Sequence, residues 1–388
     1  MRERNSRENS IQPERDKLFR HAKEQLQFRA QVYRLGEKFE GLSPDLAEIT
    51  MLDVTTIPGC HYGAKNVFVP IIESLENQRN ATRNAKLIVS PDTTILVEAS
   101  TGNGWVAFSD AAEMLGYEHV VVMPDGLPKA RYQHPDGREV TIVKTPKGEY
   151  VEGMPKQLKA LMDENKQRVM NGEKIYVSPN HAVGRSSVIT VENMATLGQQ
   201  LLAHIGQSDE QISVVLSMGN GASLCSIGEY VKKNRKTKVV ATESFAYGGG
   251  YERFAQKRNN TSYEVLFGIK PGHPVLMEKF SAFGTNAPIG IELPLQTRAF
   301  NDDLIDDYIL FTDNSVLQAY EKKLRPSGRQ FASALDLPNY SGLPKVLWDT
   351  YGNSTLANIS VASIYTQRKG QRVVAMAYDG RQNYLSKS

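Results

Sequence analysis

The stretch Glu98–Gly104 (E-A-S-T-G-N-G) contains side chains and a spacing that suit it for chemistry. It follows the apolar run Thr94–Val97 and precedes a helical pattern that begins at Trp105. A strand that leads through small residues into a helix presents backbone N–H groups and hydroxyls at the helix N-terminus, where an anion is bound well. We therefore expect this turn to bind an anion; an ordinary strand-to-helix connection is the alternative.

A second turn, Ser217–Ser223 (S-M-G-N-G-A-S), follows the strand pattern Ile212–Leu216. Its glycines let the backbone approach a phosphate closely, and Ser223 adds a hydroxyl. A dinucleotide site is an alternative, because Glu243 follows about 20 residues on, where a ribose-binding acid is found. Leu224 occupies the place of the third glycine of that fingerprint, so we favour a phosphate site. A tight turn without a ligand is the remaining alternative.

A lysine at the start of a helix is the candidate nucleophile. Lys65 lies in the loop Pro58–Asn66, which leads into a helical pattern near Val67. The positive end of the helix dipole disfavours a charged ammonium, and only the neutral amine attacks an aldehyde to form a Schiff base. A solvent-exposed lysine is the commoner fate of this residue type. Cys60 and His61 lack a third catalytic member, and we interpret them as loop packing or pocket wall.

Length and composition limit the classes of protein to consider. The chain has 388 residues, 40% apolar and 23% charged, as expected for a folded protein with two lobes or domains. The net charge of +3 does not indicate nucleic-acid or membrane binding, and no apolar run reaches membrane-spanning length. Cys60 and Cys225 form neither a disulfide framework nor a metal-ligand spacing. We expect a cytoplasmic protein without a metal.

Alternating strand and helix patterns must position these groups. Strands are predicted at Ile49–Val54, Thr94–Glu98, His119–Met123, Val140–Val143, Lys174–Val177, Ile212–Ser217, Lys238–Thr242, Tyr308–Thr312 and Arg372–Ala377. Helices are predicted at Val67–Leu75, Tyr150–Met170, Val188–His204, Leu224–Lys233 and Ser315–Lys323. This alternation predicts an α/β fold of two lobes, with mostly parallel sheets and helices on both faces. Ligands in such folds lie at the carboxyl ends of strands, where the glycine turns also fall.

The N-terminal region has a different pattern. Residues 1–12 are polar and are expected to form a loose arm, followed after Pro13 by a charged helix. The apolar face of this helix would consist of Leu18, Phe19, Ala22, Leu26 and Ala30. We expect the helix to pack on its own lobe or on a twin subunit; a basic arm for a partner is the alternative.

Together these segments resemble the fold-type-II pyridoxal-phosphate enzymes, the tryptophan synthase β or cysteine synthase-like family. The resemblance spans residues 47–388 and follows the order of the family's motifs. It is carried by I-P-G-C-H-Y-G-A-K-N (57–66), E-A-S-T-G-N-G (98–104), A-E-M-L-G-Y-E-H-V-V-V-M-P (112–124), S-M-G-N-G-A-S (217–223), G-N-S-T-L-A-N (352–358) and D-G-R-Q-N-Y-L-S (379–386). The chain departs from the family at Asn66, where Asp is usual, at Gly104, where Thr is common, and in an expanded region, Tyr247–Arg298.

The resemblance implies a role for individual residues. Lys65 would hold the aldehyde of pyridoxal 5'-phosphate as an internal Schiff base, and Asn103 would bond the ring hydroxyl. Ser354, with Thr355 in reserve, would face the pyridine nitrogen. The phosphate would be held by Gly219, Asn220, Gly221, Ala222 and Ser223. The amino-acid substrate would be held by Ser100, Thr101, Gly102, Asn180 and His181. Tyr247–Tyr251 is a candidate flap over the site.

The implied reaction is β-replacement or β-elimination on a serine- or cysteine-like amino acid through an aminoacrylate. A hydroxyl such as that of Ser354 does not keep the ring nitrogen protonated, which favours prompt loss of a β-substituent. The alternatives are a threonine synthase- or dehydratase-like enzyme, a nicotinamide-dependent oxidoreductase, and a non-catalytic binding protein on the same fold.

We expect a homodimer whose chain has three regions. Residues 1–45 would be an N-terminal arm and helix packed on the large lobe. Residues 46–188 would form a smaller mobile lobe with Lys65 and the Asn103 loop, and residues 189–388 a larger lobe with the phosphate loop and Ser354.

Overall fold

A computed structural model describes residues 2–25, 29–55, 67–80, 88–100, 102–127, 129–147, 149, 153–206, 210–279, 293–326, 332–369 and 372–381. Lys65, Cys60, His61 and Thr101 lie outside the described residues, and of Asn103 only the backbone is described. Among the described helices, none combines the length and apolar character that crossing a membrane requires.

The strands follow the predicted pattern closely. In chain order they are β1 (Gln31–Arg34), β2 (Thr50–Asp53), β3 (Thr94–Ala99), β4 (Glu118–Met123), β5 (Thr141–Lys144), β6 (Ile175–Val177), β7 (Ile212–Ser217), β8 (Thr237–Ser244), β9 (Asp307–Phe311) and β10 (Arg372–Ala377). Each predicted strand is present, and β7 and β10 have the predicted bounds. The sequence does not predict β1, because its four residues, Q-V-Y-R, lack an apolar alternation. In the structure these residues are partly exposed.

The helices connect these strands. They are α1 (Arg2–Gln25), α2 (Leu35–Lys38), α3 (Pro44–Ala47), α4 (Phe68–Asn80), α5 (Asn103–Met114), α6 (Gly153–Asp163), α7 (Asn165–Asn171), α8 (Gly184–Ile205), α9 (Glu229–Asn234), α10 (Gly249–Arg258), α11 (Tyr263–Phe267), α12 (Pro274–Met277), α13 (Pro294–Asn301), α14 (Asn314–Ala319), α15 (Lys345–Thr350) and α16 (Asn353–Lys369). Wider π-helical turns at Leu224–Gly228 and Tyr320–Leu324 adjoin α9 and α14. The helix predicted over Tyr150–Met170 is two helices, α6 and α7.

The N-terminal segment is helical where a loose arm was expected. Helix α1 extends from Arg2 to Gln25 and contains Pro13 in its interior. The segment before Pro13 is rich in Arg and Glu, which have good helix propensity, so polarity alone did not indicate a coil. Phe19 and Ala22 of the predicted apolar face are buried.

The smaller of two compact units comprises Met1–Phe28 and Ile57–His181. Its sheet has the strand order β5-β4-β3-β6 with all pairs parallel. Helix α1 belongs to this unit, where Arg15 pairs with Glu76 of α4 and donates to the Leu115 carbonyl at 2.8 Å. The N-terminal helix therefore packs on the smaller unit, whereas the sequence analysis expected it on the large lobe.

The larger unit comprises Arg29–Thr56 and Ala182–Ser388. Its sheet has the order β1-β2-β10-β7-β8-β9, in which only the β1–β2 pair is antiparallel. Every residue of β7 is buried, as expected for a parallel strand covered on both faces. The boundaries expected at residues 45 and 188 differ from these, because β2 pairs with the distant β10 and α8 begins at Gly184.

The segment Tyr247–Tyr251 leads into helix α10 instead of forming a flap. Gly248 has a left-handed φ of +64°, and α10 begins at the next residue. Tyr247 is buried, and Gly250 packs against the Tyr308 hydroxyl and the Glu243 carboxylate. The glycines therefore allow close packing of α10 on the sheet, which is the physical reason that the flap prediction fails.

We expect Gly250→Ala to destabilise the larger unit. A Cβ at residue 250 would clash with the Tyr308 hydroxyl and lie 3.1 Å from Glu243 Oε2. Overpacking costs roughly 1–3 kcal/mol of unfolding free energy, more than the about 1 kcal/mol that alanine gains over glycine in a helix. Denaturant unfolding measures the change. Gly342→Ala is the control, because a Cβ there has no neighbour within 4 Å.

Combining Gly250→Ala with Tyr308→Phe tests the cause of that loss. Removal of the hydroxyl makes room for the new methyl group, so the double variant should lose less stability than the sum of the two single variants. Strictly additive losses would show that Gly250 and Tyr308 do not meet.

Candidate functional site

Three adjacent strands of the larger sheet end side by side. Val374 of β10 faces Thr50 of β2 on one side and Val214 of β7 on the other. Because neighbouring strands lie about 4.8 Å apart, the ends of β2 and β7 are separated by roughly 10 Å, with the end of β10 between them. We call the ends of these three strands, at Asp53, Ala377 and Ser217, the carboxyl edge.

The predicted phosphate turn, Gly219–Ser223, follows β7 at the carboxyl edge. Gly221 has a φ of +89°, and a Cβ at this position would lie 2.6 Å from backbone atoms of Leu295 and Gln296. The Gln296 side chain donates a hydrogen bond to the Gly219 carbonyl. The turn thus requires glycine at residue 221 and is seated directly on the start of α13.

The donors of this turn lie before a helix. The Cys225 N–H donates to the Gly221 carbonyl at 3.0 Å and closes the first helical turn, so the amides before it precede the helical ladder. The Ala222 N–H donates to the Asn220 side chain at 3.0 Å, which shapes the turn. The backbone N–H groups at the start of the turn and the Ser223 hydroxyl form a set of donors that contains no carboxylate. Such a set suits a phosphate.

Tyr378 and Asn358 hydrogen-bond to Ser217, the residue at which the phosphate turn leaves β7. The Tyr378 hydroxyl accepts from the Ser217 N–H at 3.2 Å and hydrogen-bonds the Ser223 side chain. Asn358 accepts from the Ser217 hydroxyl at 2.9 Å and donates to the Met376 carbonyl at 2.8 Å. Burial raises the pKa of Tyr378, so its hydroxyl stays protonated.

Sequence reasoning missed both of these residues. Tyr378 directly follows an apolar strand pattern, where it gives no separate signal. Asn358 lies four residues after Ser354 on α16, so the two share one helix face, and a polar residue at that spacing was the available signal.

Ser354 lies in the first turn of α16, beside the loop that follows β10. It is 5% exposed. The Gly352 N–H donates to the Asp379 carbonyl at 2.9 Å, which places the start of α16 next to that loop. Thr355, the reserve candidate, is fully buried, and its hydroxyl donates to Asp379 Oδ1 at 3.2 Å and accepts from the Tyr378 N–H at 3.1 Å. Thr355 therefore has a structural role, which leaves Ser354 as the candidate.

A buried carboxylate, Asp53, ends β2 at the carboxyl edge. Asp53 is fully buried, and its Oδ1 accepts from the Thr55 N–H at 2.8 Å and the Thr55 hydroxyl at 2.6 Å. Its Oδ2 accepts from the Tyr33 hydroxyl, which also bonds the hydroxyl of Tyr351 just before α16. Burial raises the pKa of Tyr33. This network links the end of β2 to the start of the Ser354 helix.

The substrate turn predicted at Ser100–Gly102 follows β3 in the smaller unit. The Ser100 N–H donates to the Val122 carbonyl at 3.1 Å, and the Ser100 hydroxyl is 3.4 Å from the Gly102 N–H. Helix α5 begins at Asn103, as expected for a turn that leads into a helix. The local geometry thus has the predicted strand-turn-helix form.

Asn180 and His181 follow β6, the strand next to β3, so both turns lie at one edge of the smaller sheet. His181 is 5% exposed and its ring packs edge-on against Phe68, with centroids 5.4 Å apart. Its Nδ1 lies 3.4 Å from Oε1 of Glu98, which is fully buried. His181 therefore supports the substrate turn from within the unit, whereas Asn180 is half-buried.

Glu243 does not have the position that a dinucleotide site requires. It is fully buried, and its Oε2 accepts from the Tyr308 hydroxyl at 3.2 Å and the Tyr251 N–H at 3.1 Å. An acid that holds the start of α10 in this way is not open to a ribose. The structure thus removes the main support for the nicotinamide alternative.

One group among the described residues has the spacing of metal ligands, namely Asp110, His134 and Asp136. The Arg138 guanidinium donates to Asp110 and contacts His134 Nε2 at 2.6 Å. A fixed cation in contact with two of the three candidate ligands repels a metal ion, so these residues form an ion-pair cluster.

Comparisons with known proteins agree with this geometry. A family model described as pyridoxal-phosphate dependent enzyme matches residues 70–328, more than half of the chain. A hydrogen sulfide-producing enzyme from Fusobacterium nucleatum is similar in structure, with a TM-score of 0.62, 16% identity, and coverage of 93% of this chain and 96% of that chain. An O-acetylserine-dependent cystathionine β-synthase from Helicobacter pylori has a TM-score of 0.58, 17% identity, and coverage of 93% and 95%. An O-ureido-L-serine synthase has a TM-score of 0.58, 15% identity, and coverage of 92% and 91%.

The described residues fit the cofactor of this family. The turn at Gly219–Ser223 has N–H and O–H groups of the kind that suit a phosphate, and its Gly221 has no room for a side chain. The matching family model, the parallel sheets and the carboxyl edge agree with one another, and the chain belongs to the pyridoxal-phosphate-dependent enzymes of fold type II, with pyridoxal 5'-phosphate as its cofactor.

Proposed function

We propose that the protein catalyses β-replacement or β-elimination on a serine- or cysteine-like amino acid. The observation that carries the proposal is the carboxyl edge. There the phosphate turn follows β7, and the Ser354 helix lies beside the loop that follows β10, the neighbouring strand in fixed register. One sheet thus carries a turn suited to a phosphate and a hydroxyl suited to the ring nitrogen.

The names of structurally similar proteins support the choice of substrate class. They refer to an O-ureido-L-serine synthase, an O-acetylserine-dependent cystathionine β-synthase and hydrogen sulfide-producing enzymes. A serine substituted on its side-chain oxygen occurs in the first two names, as the product in one and as the compound required in the other. We infer that this chain acts on an amino acid of the same kind.

Bound pyridoxal phosphate withdraws electrons from the α-carbon of an amino acid and so acidifies its α-proton. In this proposal Lys65 holds the cofactor aldehyde and, once the substrate amine displaces it, takes the α-proton on Nζ. The Gly219–Ser223 turn fixes the phosphate, Asn103 bonds the ring hydroxyl, and Ser100, Thr101 and Gly102 bind the substrate carboxylate, with Asn180 beside them.

Ser354 sets the type of reaction in this proposal. A hydroxyl is too weak an acid or base to hold the ring nitrogen protonated, whereas a carboxylate would do so. The withdrawal of electrons is then moderate, which favours loss of a β-substituent over transamination. The homodimer and the cytoplasmic location expected from the sequence stay predictions.

Covalent attachment of the cofactor at Lys65 is the first prediction. Borohydride reduction of the holoenzyme followed by peptide mass mapping should place the pyridoxyl group on Lys65. Lys65→Ala should lower kcat on the order of 10²–10⁴-fold, because it removes the group that moves the proton. Lys38 is the matched control, since its Nζ lies 3.5 Å from Asp53 at the carboxyl edge. A label on Lys38 would refute the assignment.

Tyr378→Phe should weaken cofactor binding and leave the fold intact. The variant loses the hydroxyl that holds Ser217 and Ser223, and one hydrogen bond is worth about 0.5–1.5 kcal/mol, which corresponds to a roughly two- to tenfold higher Kd for pyridoxal phosphate. Equilibrium dialysis measures the Kd, and the ³¹P resonance of the bound phosphate should shift.

Tyr263→Phe is the control for this experiment, because the Tyr263 hydroxyl bonds the Phe245 carbonyl at 2.7 Å instead of the phosphate turn. Equal Kd values and equal ³¹P shifts for the two variants would show that Tyr378 does not position the phosphate site.

The substrate class is tested by mixing the holoenzyme with a panel of amino acids. O-acetylserine, O-phosphoserine, serine or cysteine should change the visible spectrum of the cofactor and release the β-substituent. Little amino-group transfer to a keto acid should accompany this, because Ser354 does not protonate the ring nitrogen. If only O-phosphohomoserine reacts, threonine synthase-like γ-chemistry is the better assignment.

A further inference from the structure

A cavity of about 330 Å³ lies against the edge strand β9 in the larger unit. Its walls come from separate parts of the chain, namely α10 and α11, β9, the segment 336–338 and α16. The volume lies within the range of small-molecule sites, roughly 300–1,000 Å³. None of the residues assigned to cofactor or substrate lines it, so the proposed function does not use this cavity.

The described residues that line the cavity combine aromatic rings with carboxylates. The rings belong to Tyr251, Phe267, Tyr308 and Tyr365, and the carboxylates to Asp307 and Asp336; the other described lining residues are aliphatic or proline. No Lys, Arg or His is among them. The faces of aromatic rings attract cations, and carboxylates add a net negative charge, so the lining favours a cation with an apolar body.

The two carboxylates differ in how far they are already compensated. Asp307 Oδ2 accepts from the Tyr365 hydroxyl at 3.2 Å and lies 3.8 Å from Lys238 Nζ, while its Oδ1 accepts from the Tyr308 N–H. Asp336 is exposed at the 3₁₀ turn, and no cation within the described part of the chain forms an ion pair with it. Asp336 therefore supplies the uncompensated charge, and Asp307 is a fixed acceptor.

We propose that this cavity binds a small organic cation, an amine or quaternary ammonium with an apolar body, between the aromatic rings and the two carboxylates. The rings are held rigidly, which favours a preformed site. The centroids of Tyr251 and Tyr308 lie 6.1 Å apart in an edge-on arrangement, and Tyr308 is packed further against Phe254 at 5.5 Å. Little conformational freedom is lost when such walls bind a ligand.

The test uses choline and its uncharged carbon isostere, 3,3-dimethylbutan-1-ol, with the holoenzyme. The two molecules have nearly the same shape and differ in charge, so the pair isolates the contribution of the cation. A quaternary ammonium does not condense with the cofactor aldehyde, so its binding is independent of the proposed reaction. Calorimetry, with sodium chloride at equal ionic strength as the reference, should give at least about tenfold tighter binding of choline, as expected for roughly 1.4 kcal/mol of cation–π and charge attraction.

Three variants assign the binding to this cavity. Ile364→Trp should fill the cavity and abolish choline binding, because Ile364 is one of its lining residues. Asp336→Asn should weaken binding several-fold and is safe for folding, because Asp336 is exposed. Asp349→Asn is the control for net charge, since Asp349 pairs with Lys345 on the surface of α15, outside the cavity lining.

Selective loss of choline binding in Ile364→Trp and Asp336→Asn, with Asp349→Asn unchanged, supports the site. The proposal is overturned if choline does not bind at 20 mM, if it binds no better than 3,3-dimethylbutan-1-ol, or if all folded variants bind it equally. Activity towards the amino-acid substrates is measured separately, so the failure of one proposal does not resemble the failure of the other.

Discussion

The alignment of β2, β10 and β7 is the constraint on which the rest of the site depends. Parallel pairing fixes the relative height of neighbouring strands, so the segments that follow Asp53, Ala377 and Ser217 must begin side by side. A slip of one residue would turn every side chain of a strand to the other face of the sheet and bury polar groups. Because both faces of β7 are covered, the apolar side chains of this strand hold the register.

Tyrosine hydroxyls connect polar groups at this edge and beside it, on β8 and β9. Tyr33 bonds Asp53, Tyr378 bonds Ser217 and Ser223, and Tyr308 bonds Glu243. Burial raises the pKa of each of the three tyrosines, so their hydroxyls remain neutral at physiological pH. A neutral hydroxyl satisfies a buried carboxylate and avoids burying a second charge. The site can therefore be placed within an apolar interior without many ion pairs.

The same packing explains the expanded region between β8 and β9. Its first helix, α10, is held by Glu243 and Tyr308, and its last, α13, carries Gln296, which holds the phosphate turn. The insertion thus contacts the phosphate turn through Leu295 and Gln296. Its third contact is the wall of the β9 cavity, through Tyr251 and Phe267. The expanded region is therefore part of the support of the phosphate turn.

The amino-acid sequence by itself determined the strands, the strand-to-helix turns and the resemblance that indicated the cofactor. Each of these depends on residues close together in the chain, such as the apolar run before Gly219 or the motif 352–358 that contains Ser354. Only the tertiary structure decided which distant groups meet them. Gln296 lies 77 residues from Gly219, and Tyr378 lies 161 residues from Ser217. Glu243 has the spacing of a ribose-binding acid, and three glycines beside it have the composition of a flap. Contact with Tyr308 gives Glu243 and the glycine segment a structural role. The energy of a polar group depends on the groups that surround it in space, and the spacing of residues along the chain does not specify those groups.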